Sequence, residues 1–298
     1  MWKAVRVVTS RSAALRFADH FVRALDRLGD PRPPMRVGAL RTLEVLADNN
    51  PAYRQPVADV ICGYLRMPGG DDGVRQLATE ILAGHLRRGD RPAGQFWPGI
   101  SLDLTGATLV DVDLSDCRID GDLSLVHAVF HGPAKLRGIT VGGAVSLSRA
   151  IFHDHAWVER ATLCGPFRAD GAAFRADAWF GAATFLARSS FAGVDFAGHA
   201  WFGGSTFRGP VSFDQAVFRR SAGFRGVVAH ASVGLAGATF LGPARVSRRD
   251  EAWNVLAPGW RVVVDPDNAS VGNLLWVGHP ELVDTPEASS DTPTQIIQ

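Results

Sequence analysis

Histidines and an aspartate recur at one fixed interval through the middle of this chain. In steps of 22, the triplets His131-Gly132-Pro133, His153-Asp154-His155, Arg175-Ala176-Asp177, Ala197-Gly198-His199 and Arg219-Arg220-Ser221 fall in register, which sets Asp177 between His155 and His199. Imidazole and carboxylate are ligands of zinc and other divalent cations. The same groups in an exposed ladder titrate near neutral pH. His155, Asp177 and His199 are therefore a candidate metal site, set against the more ordinary expectation of a solvated polar corner. His131, His153, Arg219 and Arg220 share the register as ligand or interface candidates. A second column at the same interval reads Lys135, Trp157, Trp179, Trp201, Gly223 and Arg245, with Gly181, Gly203 and Gly204 beside it. Three tryptophans facing one way make an aromatic strip between two cations. Such a strip is either a binding surface or a ladder that stabilises itself.

Signatures of catalysis are missing from the sequence. There is no Gly-x-Ser-x-Gly, no Gly-x-x-x-x-Gly-Lys-Ser/Thr, no His-Glu-x-x-His and no Cys-x-x-Cys, so no nucleophile elbow, phosphate loop or zinc helix is expected. No catalytic residue and no cofactor is assigned. An enzyme of specialised metabolism that works with the surface corner of His153, His155, Asp177 and His199 is kept as a third alternative.

The interval of 22 comes from a smaller beat. From Ile119 to Val246 a large apolar residue returns at alternating steps of six and five, as in Phe174, Phe180, Phe185, Phe191, Phe196, Phe202 and Phe207. Leu104, Leu109 and Leu114 precede it at steps of five. Two residues before each centre the side chain is usually small, as in Ala178, Ala183, Ala200 and Ala216. A helix repeats at 3.6 residues and a strand at 2, so neither gives this beat. Short bridges that turn a corner after each centre do. All centres but Ala169 and Ala229 are Phe, Leu, Ile or Val. At Ala169 the large partner has moved to Phe167, so that coil should still close. At Ala229, partnered by Val227, the core should be thin.

The motifs Ala107-Thr108-Leu109-Val110-Asp111, Ala178-Trp179-Phe180-Gly181-Ala182 and Ala216-Val217-Phe218-Arg219-Arg220 resemble the pentapeptide repeat family in its Phe-centred variety, over roughly residues 100–248. The resemblance implies a right-handed quadrilateral β-helix, mainly β, preceded by a small α-helical domain. Sides of six, five, six and five residues complete one coil of 22. At a strand spacing of about 4.8 Å, six or seven coils make a rod roughly 30 Å long. The family also implies end-to-end homodimers. Its quinolone-resistance members mimic duplex DNA and bind type II topoisomerases, so a gyrase modulator conferring antibiotic self-resistance is the runner-up function. Residues 101–250, however, hold 13 Asp plus Glu against 15 Lys plus Arg, which departs from an acidic mimic. The leading expectation is a non-enzymatic protein-interaction scaffold with flat outer faces.

Residues 1–98 follow another rule. Leu15, Ala18, Phe21, Val22, Leu25 and Leu28, then Leu40, Leu43, Leu46 and Ala47, return at three and four, which predicts helices near 11–29, 35–48, 52–66 and 72–88. The segment Arg36-Val37-Gly38-Ala39-Leu40-Arg41-Thr42-Leu43-Glu44-Val45-Leu46-Ala47 looks like the HEAT-like region that precedes the repeats in many actinobacterial members of the family. Such helices can cap the open end of the solenoid. Domains of 1–98, 99–248 and a capping segment of 249–278 result, with one or two strands around Arg261-Val262-Val263-Val264 and Leu274-Leu275. A tail of 279–298 is too poor in apolar residues to fold alone.

Across 298 residues with 46% apolar content the net charge is +1, which argues against direct nucleic-acid binding and against a membrane partner. Charge is uneven, with six Asp against Arg118 alone over 101–124 and seven Arg against Asp214 and Asp250 over 205–250. Cys62, Cys117 and Cys164 lack metal spacing and cannot all pair, which suggests reduced thiols and a cytoplasmic location.

Overall fold

Three residues that alternate inward, outward, inward and then meet a corner can form only very short strands. The chain from Leu102 does this, folding into strands mostly two residues long that stack in parallel with those of the next coil. The computed structural model describes residues 17–89, 94–247, 260–265 and 268–276. Its solenoid has four sides. Face one holds seven strands from Leu102–Asp103 to Val233–Gly234, and face two seven from Thr108–Val110 to Thr239–Phe240. Face three begins at Ala134–Lys135, and face four holds six strands from Arg118–Ile119 to Val228–Ala229.

Register partners lie 22 apart through the body of the rod, as in Leu123↔Val145 and Thr162↔Thr184. In the first coil they lie 21 apart, Leu102↔Leu123 and Thr108↔Val129, which is the residue omitted by the opening steps of five. Three-residue corners bring backbones so close that a side chain often has no room. A Cβ on Gly198 would meet the carbonyl carbon of Ala176 at 2.4 Å.

The interior is filled by stacked rings. Along face two, Phe130, Phe152, Phe174, Phe196, Phe218 and Phe240 lie nearly parallel at centroid separations of 4.2 to 5.2 Å. Rings of adjacent faces meet edge-on, as Phe174 and Phe180 do at 5.8 Å and 83°. Both geometries suit the aromatic quadrupole and add about 0.5–1.5 kcal/mol per pair beyond burial. Phe167 and Ala169 are both buried, and Phe167 packs on Phe185 and Phe191. The exchanged coil therefore closes.

At Ala229 the face-four column Phe185–Phe207 loses its next ring: Phe207 is in register with Ala229, which is half-buried beside exposed Val228. Ala229→Phe should seat a ring on Phe207 and raise stability by about 1 kcal/mol, read as a higher thermal midpoint. A clearly lower midpoint would show that the slot is already full.

Ahead of the rod run α1 (17–28), α2 (Pro33–Asn49), α3 (Arg54–Arg66) and α4 (Asp72–Leu86), with a 3₁₀ turn at Pro51–Tyr53. Pro33 opens α2, and the Asp71 carboxylate caps α4 by accepting from the Val74 amide, as helix starts require. The buried stripe of α1 differs from the expected one. Ala24 and Leu28 are buried and Phe21 packs against the core, whereas Val22 and Leu25 are exposed. Ring contacts of Phe17 with Phe21 and Tyr53 turn the helix by one position. Residue 15 and the predicted helix start lie outside the described residues.

The helices dock on the first coil by occupying its unpaired upstream edge. The Gln55 side chain donates to the Ser101 carbonyl and accepts from the Ser101 amide. Arg75, 3% exposed, donates to Thr108 O, and Arg87 donates to the carbonyls of Asp113 and Ser115. Open strand edges invite pairing with other chains, and these side chains stand in for the missing coil.

Downstream, face three is the one side extended among the described residues. Ala244–Ser247 pairs antiparallel with Asn268–Trp276, which pairs with Trp260–Asp265. This hairpin answers the expected terminal strands, although it prolongs one side; residues 279–298 lie outside the described residues. Among the described residues no helix is long and apolar enough to cross a membrane.

Candidate functional site

On face three an alanine fills each inward slot and the next residue points out. Ala134, Ala156, Ala178, Ala200 and Ala222 are all buried. The outward column is Lys135, Trp157, Trp179, Trp201, Gly223 and Arg245, joined by register pairs at every step. The expected line of tryptophans is thus present.

Its members behave differently. Trp157 and Trp179 stack at 5.6 Å and 18° from parallel, both half-buried. Trp201 is exposed and lies over Gly223, where a Cβ would come within 2.4 Å of its Cε3. The glycine serves as the seat of the indole. Gly223→Ala should push the Trp201 ring outward at small cost to stability, since an exposed side chain can move, and should change near-ultraviolet circular dichroism and red-shift the emission. An unchanged spectrum would show that the ring does not rest there.

Beside the strip, the corner histidines divide into two sets. His131 and His153 stack on each other at 5.1 Å at the face-two side of the corner. His155 leans on Trp157 and Trp179 at 5.8 and 5.1 Å, and His199 stacks on Trp201 at 5.9 Å. His155, Asp177 and His199 follow one another along the corner but are not gathered on one point. The Asp177 carboxylate accepts from the His199 backbone amide at 2.8 Å, and His199 Nδ1 meets Ser221 Oγ at 2.5 Å. Among the described residues no three His, Cys, Asp or Glu side chains are placed to share a metal ion. The interval of 22 set the coils correctly, but corner carboxylates turn to the neighbouring coil's amides. Asp122 and Asp214 do the same toward Ala144 and Ala236.

The cations are similarly divided. Arg219 pairs with Asp195 at 2.7 Å, and Arg175 approaches the same carboxylate at 3.6 Å. Arg220 and Arg245 are exposed. At the acidic start of the rod, Arg66 pairs with Asp103 and Arg87 with Asp113. Hydrogen bonds from Thr105, with Arg66 nearby, lower the Asp103 pKa. Burial would raise that of Asp113, but Ser115 and Arg87 outweigh it and the net shift is downward. Hydrogen bonding from the Gly99 amide and Arg118 lowers Asp120. Burial pushes the Cys62 and Cys117 thiols up to about 12, which leaves them inert, whereas Cys164 is exposed.

Sequence reasoning named Lys135 but missed two other residues that border Trp157, Ser115 and Arg137. A groove of about 240 Å³ is lined there by Ser115, Lys135, Arg137 and Trp157. Ser115 and Arg137 follow the strip on the corner column that continues through Glu159, Gly181 and Gly203, so the same step of 22 applied to that column would have found them. None of the family models, curated proteins and solved structures compared with the chain matches it.

Proposed function

We propose that this chain is a non-enzymatic protein-interaction scaffold, built as pentapeptide repeat proteins are, that offers face three to a macromolecular partner. The observation that carries this reading is a continuous outward column of Trp157, Trp179 and Trp201 on a rod whose interior is packed with rings. A solid interior has no space for a substrate, so recognition falls to the outside. Tryptophans are common among the residues that dominate binding energy at interfaces, and Gly181 and Gly203 leave the backbone beside them bare. A protein partner suits this half-apolar strip better than nucleic acid does. The topoisomerase reading has weaker support, because Asp103 and Asp113 are paired with cap arginines and the first coil loses much of its negative field.

The test uses the full chain as bait in a lysate of its source cell, with Trp179→Ala beside the wild type. A partner captured by the wild type and lost by the variant, at unchanged thermal midpoint, supports an interface. Capture that persists while the midpoint falls would identify a self-stabilising ladder instead.

A further inference from the structure

Trp157 is the first indole of the strip, and only one of its faces is covered by another indole. Trp179 stacks on that side. The other face turns to the preceding coil, where the register partner is Lys135 and the one before it Asp113. A lysine stem is too narrow to replace an indole, so the column loses an aromatic rung and the groove opens there. Coils stack about 4.8 Å apart, so a ring one level below Trp157 falls within the 4.5–7 Å at which aromatic pairs attract.

The polar lining sets the charge of the occupant. Lys135 and Arg137 border the groove, and no carboxylate does so among the described residues. Asp113 is engaged by Arg87. Arg137 gives its Nε and one terminal nitrogen to Glu159, which fixes the guanidinium beside the groove and neutralises that glutamate. Among the described residues Lys135 makes no direct ion pair; its charge acts on Asp113, but that carboxylate is already paired with Arg87, which leaves the ammonium able to meet a ligand. The volume sets the size. About 240 Å³ is roughly eight waters at about 30 Å³ each, below the usual range for drug-sized ligands but enough for one or two fused rings with a short substituent.

We propose that this groove binds a small planar aromatic anion, a ring system bearing a carboxylate or a phosphate. The ring stacks on Trp157 as the missing rung, and its anionic group rests on Lys135, with the Arg137 terminal nitrogen that Glu159 does not take as a second donor. This site requires only the isolated chain and stands or falls independently of the partner surface.

Isothermal titration calorimetry of the full chain tests it, with indole-3-acetate and AMP as anionic probes, indole-3-acetamide and adenosine as their neutral counterparts, and inorganic phosphate as the anion without a ring. The expected result is one site with a dissociation constant of about 0.1–1 mM for at least one anionic probe. The better probe tells carboxylate from phosphate. Its neutral counterpart and phosphate alone should bind at least about tenfold more weakly. Lys135→Met, an exposed change that spares the core, and Trp157→Ala should each weaken binding about tenfold or more, while Trp201→Ala, two coils away, leaves it unchanged. No binding of either anion at 10 mM (about tenfold above the expected range), equal binding of the neutral counterparts, or full affinity in Lys135→Met would overturn the proposal.

Discussion

Phe191→Ala should remove about 3–5 kcal/mol of stability, the cost of a large buried ring deleted from a core that cannot close over the hole. Phe191 is fully buried at the centre of the rod, and six other rings lie around it: Phe167, Phe180, Phe185, Phe202, Phe207 and Phe213, at 4.9 to 6.5 Å. The coils above and below are held at fixed strand spacing, so the walls of the cavity cannot collapse inward as a helix could slide. Phe191→Leu keeps most of the volume but gives up the ring pairs, and should cost about 1.5–3 kcal/mol, less than the alanine. Phe240→Ala, in the last coil and only half-buried, should cost less than half as much as Phe191→Ala. Chemical denaturation of the three variants checks the order. The Phe191→Ala curve should also broaden, because in an array stabilised by nearest neighbours a weak middle coil uncouples the two ends. Equal losses for Phe191→Ala and Phe240→Ala would mean that position in the rod does not govern stability.

The same nearest-neighbour rule explains how much of the fold was legible. Each coil contacts only the coils beside it, so one interval fixes every register pair, and Trp157, Trp179 and Trp201 fell into line from arithmetic alone. Even the exchanged pair at Phe167 and Ala169 could be read, since inward volume is a property of two adjacent positions. Periodicity says nothing about where an outward side chain bends. It aligned Asp177 with His155 and His199, but the carboxylate satisfies a backbone amide of the next coil. It placed Gly223 in the column but not the ring of Trp201 that lies over it. The helical region has no repeat, and its docking depends on contacts between residues 26 to 46 apart in sequence, such as Arg87 with Asp113 and Gln55 with Ser101. Those contacts have no local signature. The nearest thing to one is Arg75 itself, a charged residue on the apolar stripe of Val74, Ala78 and Leu82, where a cation must have buried acceptors to be tolerated.

Arg75→Leu should lower stability by about 3–5 kcal/mol and expose the upstream edge of the rod. Arg75 is 3% exposed, and its guanidinium donates to four carbonyls, those of Leu65 at 2.8 Å and Thr108 at 3.1 Å together with Met67 and Gly69 at the end of α3. Three of these would otherwise face one another at a helix end, and the fourth belongs to the first strand of face two, which has no coil upstream. A hydrogen bond from a charged donor contributes about 1.5–3 kcal/mol, and each buried carbonyl left unmet costs about 1–3 kcal/mol. The separate losses are not additive, since water enters once α3 loosens, and this holds the total to a few kcal/mol. Leucine fills part of the volume, so lost packing is not the main cause. Arg75→Lys separates charge from geometry: an ammonium keeps the charge but concentrates its three donors at one point, so it cannot span α3 and Thr108 together and should recover less than half of the loss. A second readout distinguishes docking from simple destabilisation. With Thr108 uncovered, the strand edge is open to other chains, so Arg75→Leu should form concentration-dependent oligomers in sedimentation velocity below its melting temperature, whereas Phe191→Ala, equally unstable but with its cap intact, should stay at the wild-type sedimentation coefficient. An Arg75→Leu protein that sediments as the wild type does would show that the cap holds without its buried cation.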